Sequence, residues 1–411
     1  MQQKVLYITY DGLSDPLGES QILPYLCGLS GKDYSITILS CEKKEKLLLE
    51  KEKIHHLLQQ NNITWEFIPY KKNPPYFSYL INYLSLREKA FVLYKKNKFN
   101  IIHCRSYVSS LIGLLLKKKY GTKFIFDMRG FWADERIEGK IWKNNFIFSR
   151  AYDYFKKKEI EFIQNADCTI SLTENAKKEI YGWQIFSNKK PPIKVIPCCA
   201  DLNLFSQNNI NSTHTAQLKK ELNISDSDFV LSYIGSVGTW YLLDEMFSFF
   251  KLLKTKKDNS LFVIITPDNK TYIQEKSKQA GIDAADLRII YSKRRDMPAL
   301  ISISNLSVFF IKSSYSKKAS SPTKMAELMS MGIPFIANSD IGDNDQIIKD
   351  SGAGIMIPAL NEKEYNSAIE QMDTFISGYN KSSVRKFAEH FFSLESGIDK
   401  YKGIYQATMK Q

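Results

Sequence analysis

The sequence contains no apolar run approaching the roughly 18 residues needed to cross a bilayer as a helix, so no membrane span is expected. No charged-then-apolar leader precedes the strand-like MQQKVLYITY, and no signal peptide is expected. The five His form no HExxH or HxH pattern. Cys27, Cys41, Cys104, Cys168, Cys198 and Cys199 stand at no metal-ligand spacing. A reduced cytoplasmic protein fits that cysteine usage. No Asp-x-Asp pair is read as a metal site, so neither a metal nor another cofactor is expected. Internal repeats and low-complexity tracts are missing, and so is the GxGxxG fingerprint. Any phosphate-binding loop must therefore be argued from its place between a strand and a helix.

What is present is length and an uneven positive charge. A chain of 411 residues suits two domains of roughly 200 residues each. With 44% hydrophobic and 25% charged residues, the composition is that of a soluble globular protein. The net charge is +13, and residues 1–200 carry nearly all of it, with 32 Lys+Arg against 20 Asp+Glu. The excess concentrates in residues 51–150, with 19 basic and 7 acidic side chains. It is interleaved with Tyr76, Phe77, Tyr79, Tyr83, Phe91 and Tyr94, aromatics of the kind found at a headgroup boundary. A basic half points to an anionic partner. An anionic membrane surface or a phosphate-bearing lipid fits, while nucleic acid is not expected, because no recognition motif accompanies the charge. A merely solvated lysine-rich surface is the plain alternative.

The chain is organised around residues 309–338, FFIKSSYSKKASSPTKMAELMSMGIPFIAN. Residues 309–312 predict a buried strand and residues 313–321 a polar loop. Pro322 suits the first turn of a helix capped by Ser320 or Ser321. Met325, Leu328, Met329 and Met331 recur at helical spacing, and Gly332 ends the helix. Residues 333–337 predict the next strand. The open N–H groups of such a helix start suit a phosphate, and Ser321, Thr323 and Lys324 stand there. Glu327, one turn on, is an acceptor for two neighbouring hydroxyls, as on a ribose. A helix that packs on a sheet with solvated Lys and Glu is the plain alternative.

The order strand, glycine loop, helix opens both halves, as in doubly wound sheets. It runs through residues 4–10, 11–19 and 20–29, and again through 229–234, the loop Gly235-Ser236-Val237-Gly238 and 242–253. Gly18 is read as the place where a ligand approaches the backbone. KFIFDMRGFWADE puts Asp127, Arg129 and Asp134 just past a strand's C-terminal end, where such sheets bind ligands. Arg129 suits a phosphate and stays protonated, so it is no base. A salt bridge to Asp127 or Asp134 is its plain alternative. One long helix is predicted over residues 141–164, with Lys156, Lys157 and Lys158 toward solvent, and a final helix over 393–411. Residues 207–228 read as the linker between the halves.

SPTKMAELMSMGIPFIA resembles the C-domain signature of the family-4 retaining glycosyltransferases, which have the GT-B fold. KVIPCCADLNLF, residues 194–205, resembles that family's Pro-Asn-Gly-Val-Asp…Phe segment. The resemblance implies that Glu327 binds the nucleotide ribose. Ala319 stands where the family has a first Glu that touches the donor sugar. Gly18 matches the glycine loop near the reacting phosphate and acceptor, and Arg129 replaces a His that lies against the donor sugar and phosphate. Ser236 and Tyr241 replace two phosphate cations. Gly235 and Ser236 with their backbone, Lys324, and Arg294 or Arg295 are then left to hold the diphosphate.

The implied fold is α/β, GT-B, with two Rossmann-like domains facing across a cleft. Residues 1–205 would bind the acceptor and 206–392 the nucleotide-sugar, and the helix 393–411 would pack back on the first domain. The expected function is a retaining glycosyltransferase of hexosyltransferase type, in surface polysaccharide synthesis. It would move a sugar from a nucleotide-sugar to a saccharide or lipid-linked saccharide at the cytoplasmic face of a membrane. Lys324 and Arg129 are the expected catalytic residues, with Lys324 and the helix start stabilising the departing diphosphate. The rivals are a sugar-nucleotide epimerase of similar fold and a non-catalytic nucleotide-sugar-binding subunit, which Ala319, Ser236 and Tyr241 would suit.

Overall fold

The computed structural model describes residues 2–74 and 77–410. Tyr76, one of the aromatics named above, lies outside them, as does Gln411. The described residues form two compact units. Unit 1 runs to Pro197 and resumes at Leu394, and unit 2 is Cys198–Ser393.

Unit 1 holds β1 (Gln3–Thr9), β2 (Tyr34–Glu42), β3 (Thr64–Pro69), β4 (Ile101–Arg105), β5 (Lys123–Asp127), β6 (Cys168–Ser171) and β7 (Ile193–Val195). Their order across the sheet is β3-β2-β1-β4-β5-β6-β7, all parallel. Unit 2 holds β8 (Phe229–Ile234), β9 (Ser260–Ile265), β10 (Leu287–Ile290), β11 (Leu306–Phe309), β12 (Phe335–Asn338) and β13 (Gly354–Ile357). These run β10-β9-β8-β11-β12-β13, again parallel. Both sheets are therefore Rossmann-like. Central strands such as FVLSYI in β8 are buried along their whole length, as parallel strands covered on both faces must be. The strand order reverses between β1 and β4, and between β8 and β11. Ligands of doubly wound sheets bind at the carboxyl ends of strands beside such reversals.

The last helix, Leu394–Lys410, returns to unit 1 and packs on the helix Leu23–Leu29. Tyr405 Oη lies 2.8 Å from His103 Nδ1, and Tyr401 Oη donates to Asp127 Oδ2 at 3.1 Å. Edge-on contacts of Tyr401 with Tyr25 and of Tyr405 with Tyr34 fix the two rings.

Several local expectations change. The helix expected over 20–29 is two, Pro16–Gln21 and Leu23–Leu29, because Pro24 has no N–H to continue the first ladder. The long helix expected over 141–164 is Phe146–Asn165, preceded by a separate helix Trp132–Glu138. Asn145 sets its start by accepting from Phe148 N at 3.0 Å, an N-cap. Lys156 does not face solvent: its Nζ lies 2.8 Å from Asp134 and 2.5 Å from Glu159. Glu159 is fully buried beneath Tyr107, so a cation is drawn inward to it. The strand expected over 309–312 ends at Phe309, because Ile311 leaves the sheet to exchange two hydrogen bonds with the Asn338 side chain.

The Tyr405–His103 contact generates two expectations. Tyr405→Phe leaves a buried imidazole nitrogen without its partner and costs about 1–3 kcal/mol in urea unfolding. An unchanged midpoint would show that the bond does not hold the last helix. Burial pushes the His103 pKa below its ordinary value, with Asp127 pulling the other way. The unfolded chain then takes up a proton near pH 6.5 that the folded chain does not. Stability is complete above about pH 6.5 and falls as the pH drops below it, and His103→Gln flattens that window.

Candidate active site

Unit 2 builds a cation beneath a glycine loop. Lys324 lies in the first turn of the helix Thr323–Ser330 and is buried. Its Nζ sits 3.5 Å from the ring centre of Tyr241, 4.2 Å from that of Tyr233 and 5.9 Å from that of Phe309. It donates to Tyr233 Oη at 3.0 Å, and Tyr233 in turn donates to the Ser236 carbonyl. Gly235, directly past β8, has φ +114, and a Cβ there would stand 3.1 Å from Lys324 Nζ. The glycine is required twice, by its backbone and by the lysine under it. Val237 N donates to Asp268, which pins the loop from β9. Burial pushes the Lys324 pKa well below its ordinary value, and Glu327 acts weakly against it.

The helix start itself is open. Neither Ser320 nor Ser321 caps it: Pro322 is the N-cap residue, without a side-chain hydrogen bond. Ser321 Oγ instead accepts from Cys198 N at 3.1 Å and ties in the segment expected to resemble the family's. Thr323 lies at the first helical position. Glu327 is buried, and its Oε1 accepts from Arg294 Nη1 at 2.9 Å. Burial raises the Glu327 pKa, against the pull of Arg294 and Lys324. Arg294 is thus the partner of Glu327, stacked 5.2 Å over Phe205, while Arg295 is exposed. Ser236 is exposed. The Tyr241 ring lies against the Lys324 amine as a cation–π partner. Ala319 is buried at the end of the turn Tyr315–Ala319, where Lys317 lies 3.6 Å over Trp240.

Unit 1 gathers charge at the ends of β1, β4 and β5. Asp127 is buried, with Arg129 Nη1 at 3.8 Å and His103 Nε2 at 3.7 Å. Burial pushes its pKa up, but Arg129, His103 and Arg105 outweigh burial and hold it below the usual value. Arg129 has φ +59, and its Nη2 donates to Gln21 Oε1 at 3.4 Å. Asp134 binds Lys156 and Tyr152 instead, so it leaves the strand-end group. Gly18 has a steric cause within its own loop. A Cβ there would meet the Leu13 carbonyl oxygen at 2.3 Å, so the loop's own fold requires the glycine. That loop is held by Glu42, fully buried, which accepts from Leu13 N and Ser14 N.

Sequence reasoning missed His103, Arg105, Glu42, Tyr233 and the two tyrosines of the last helix. A signal existed for Arg105 alone, a charged residue closing the strand IIHCR. Asp-x-Asp spacings do occur, at Asp226/Asp228 and Asp343/Asp345. Asp226 pairs with Lys219, Asp228 accepts from Ser225 N and Asp345 from Asp340 N. Among the described residues, no three His, Cys, Asp or Glu side chains come together as a metal site. An open depression of ≈ 840 Å³ in unit 2, lined by Gln207, Lys219, Met331 and Lys381, contains none of the expected site residues.

The sequence matches two family models, Glycosyltransferase Family 4 over residues 26–204 and Glycosyl transferases group 1 over residues 215–374. Comparison with curated protein sequences gives no match. Among solved structures, a glycosyltransferase from Rickettsia africae is similar at TM-score 0.69 and 16% identity, with 100% of this chain and 99% of that one covered. HepE of Anabaena, solved with UDP and glucose, is similar at TM-score 0.69 and 12% identity, over 98% and 100% of the chains. UDP-GlcNAc 2-epimerase from Neisseria meningitidis, bound to UDP-GlcNAc, follows at TM-score 0.58 and 13% identity, over 100% of both. At these identities the structures speak for the fold alone.

Gly235→Ala is expected to displace Lys324 and strain the loop. Affinity for a nucleoside diphosphate should fall further than in Gly238→Ala, where φ is +100 but no atom lies within 4 Å of the added Cβ. Equal losses in titration calorimetry would reduce the effect of Gly235 to backbone strain.

Proposed function

Since the chain belongs to the group 1 glycosyltransferases and has the GT-B fold, we propose that it is a retaining enzyme with its nucleotide-sugar in unit 2 and its acceptor in unit 1. One observation carries this reading: an uncapped helix start with Lys324 and Glu327 stands at the strand-order reversal of unit 2, beside a glycine loop. The helix start and Lys324 would take the diphosphate. Glu327 keeps Oε2 clear of the Arg294 bond and would accept from the ribose hydroxyls. As the sugar leaves, negative charge grows on the diphosphate. An ammonium held away from water meets that charge with more force than a solvated one would.

UDP is the first nucleotide to try, because HepE binds it. The test is thermal stabilisation by uridine, guanosine and adenosine diphosphates, then sugar transfer with and without a saccharide acceptor. Conversion of the nucleotide-sugar without any acceptor would point to the epimerase reading. Glu327→Ala should lower nucleotide affinity roughly tenfold or more, the scale of a charge-assisted hydrogen bond. Lys324→Ala should lower turnover more than binding. The diphosphate should also raise the lowered Lys324 pKa, so binding takes up protons and weakens as the pH climbs. A heat of binding that does not vary between buffers of different ionisation enthalpy would count against that role.

The acceptor of this reading is a saccharide on a lipid at an anionic membrane face. Among the described residues, no helix is long and apolar enough to cross a membrane. The large apolar side chains left exposed are nearly all in unit 1, with Tyr272 and Tyr291 the exceptions. Leu17, Leu48, Leu49 and Leu80 lie in the first two turns of helices that follow strands, and Phe146 and Ile147 open the helix Phe146–Asn165, which follows the helix Trp132–Glu138 and leads into β6. A parallel sheet puts those turns at one edge, the carboxyl ends of its strands. Exposed Lys43, Lys46, Lys71, Lys72, Lys140 and Lys143 accompany them, and each lysine near an anionic surface contributes about 1 kcal/mol. Wild-type protein should sediment with anionic vesicles at low salt and less at high salt, and Phe146→Ser with Ile147→Ser should reduce it. Equal, negligible pelleting with anionic and neutral vesicles would remove the membrane.

A further inference from the structure

We propose that Arg105 and Arg129 form an anion-binding site at the carboxyl edge of the first sheet, and that it takes the phosphate through which the acceptor saccharide is joined to its lipid. The inference rests on the reading that unit 1 holds the acceptor.

Arg105 closes β4, and β4 borders the strand-order reversal of unit 1. In register it stands beside Thr9 of β1 and Asp127 of β5. It is 4% exposed, yet its Nε and Nη1 have no hydrogen-bond partner among the described residues. A buried guanidinium with open donors is costly unless an anion completes it. The Tyr7 hydroxyl hydrogen-bonds to the guanidinium, and the carboxylate of Asp11 has its Oδ2 3.5 Å from Nε, too long for the usual charge-assisted bond. That carboxylate side chain is 43% exposed, so it can swing out when another anion arrives. Arg129, two residues past β5, contributes a second guanidinium, 3.8 Å from Asp127. The two open donors of Arg105, beside the second planar fork of Arg129, match the several oxygens of a phosphate or diphosphate.

The probes are farnesyl diphosphate, farnesol and inorganic pyrophosphate, titrated calorimetrically against the full chain. Farnesyl diphosphate should bind more tightly than farnesol. Arg129→Gln and Arg105→Gln should weaken it about tenfold or more, with Arg129→Lys restoring part. Asp11→Asn removes the competing carboxylate and should tighten binding, which a merely structural role for the cluster would not produce. None of these variants should change affinity for uridine diphosphate, whereas Lys324→Ala should lower that affinity and leave farnesyl diphosphate alone. If Arg105→Gln fails to fold, Arg129→Gln and Asp11→Asn, with opposite expected signs, still decide. Farnesol binding as well as its diphosphate, or no response to either variant, overturns the site. Pyrophosphate binding as tightly as farnesyl diphosphate supports the anion site and overturns its lipid-linked source. Uridine diphosphate failing to bind while farnesyl diphosphate behaves as described would overturn the nucleotide reading of unit 2 and leave this site standing.

Discussion

A buried lysine with no carboxylate within ion-pair range among the described residues is the constraint on which unit 2 turns. Lys324 is stabilised by the faces of Tyr233 and Tyr241 and by one phenolic oxygen. Such contacts hold a cation in place without neutralising it. The position in turn dictates its neighbours. Residue 235 must lack a Cβ, and Tyr241 must pair back toward Ile311 to bring its ring over the ammonium. Ile311 must leave the sheet for that pairing, and Asn338 then satisfies its backbone. A single charge thereby links three loops.

The two units solve one problem in different ways. In each, a parallel sheet gathers polar groups at its carboxyl edge and covers them. Unit 2 completes its edge with aromatic rings from adjoining loops. Unit 1 completes its edge with Tyr401 and Tyr405 from the last helix, 274 and 302 positions from their partners. Each unit also sets a carboxylate of its own against a donor: Asp268 on Val237 N, and Asp11 near Arg105.

How much of this could be read from the sequence follows from how local each cause is. The strand, glycine loop and helix of each half were legible, because turn residues and apolar spacing are local signals. The placement of Lys324 and Glu327 one turn apart near a helix start was legible, because helical spacing is local. The Arg294–Glu327 pair was not, since it joins residues 33 positions apart that meet only when β10 and β11 flank their neighbours. The direction of Lys156 was missed because nothing local shows that Glu159, three residues on, is buried against Tyr107, or that Asp134 comes to the other side of the amine. Gly18 shows the reverse case: the residue was singled out, but the Leu13 carbonyl that already requires a glycine there could not be seen in the sequence. The break at residues 141–145 could have been seen, since Asn145 before an apolar helix is an N-cap signal.

The return of the last helix has a consequence for biosynthesis. Unit 2 is continuous in sequence, so its whole sheet and covering helices have been translated by the time residue 393 is reached. Unit 1 is begun before unit 2, but His103 and Asp127 wait for Tyr405 and Tyr401 until the helix Leu394–Lys410 has left the ribosome. Domains generally fold in the order they emerge. Here the order of completion is inverted: the first unit made is the last one finished. During elongation the carboxyl ends of β4 and β5 lack these two tyrosines, and chaperone capture during synthesis should fall on unit 1.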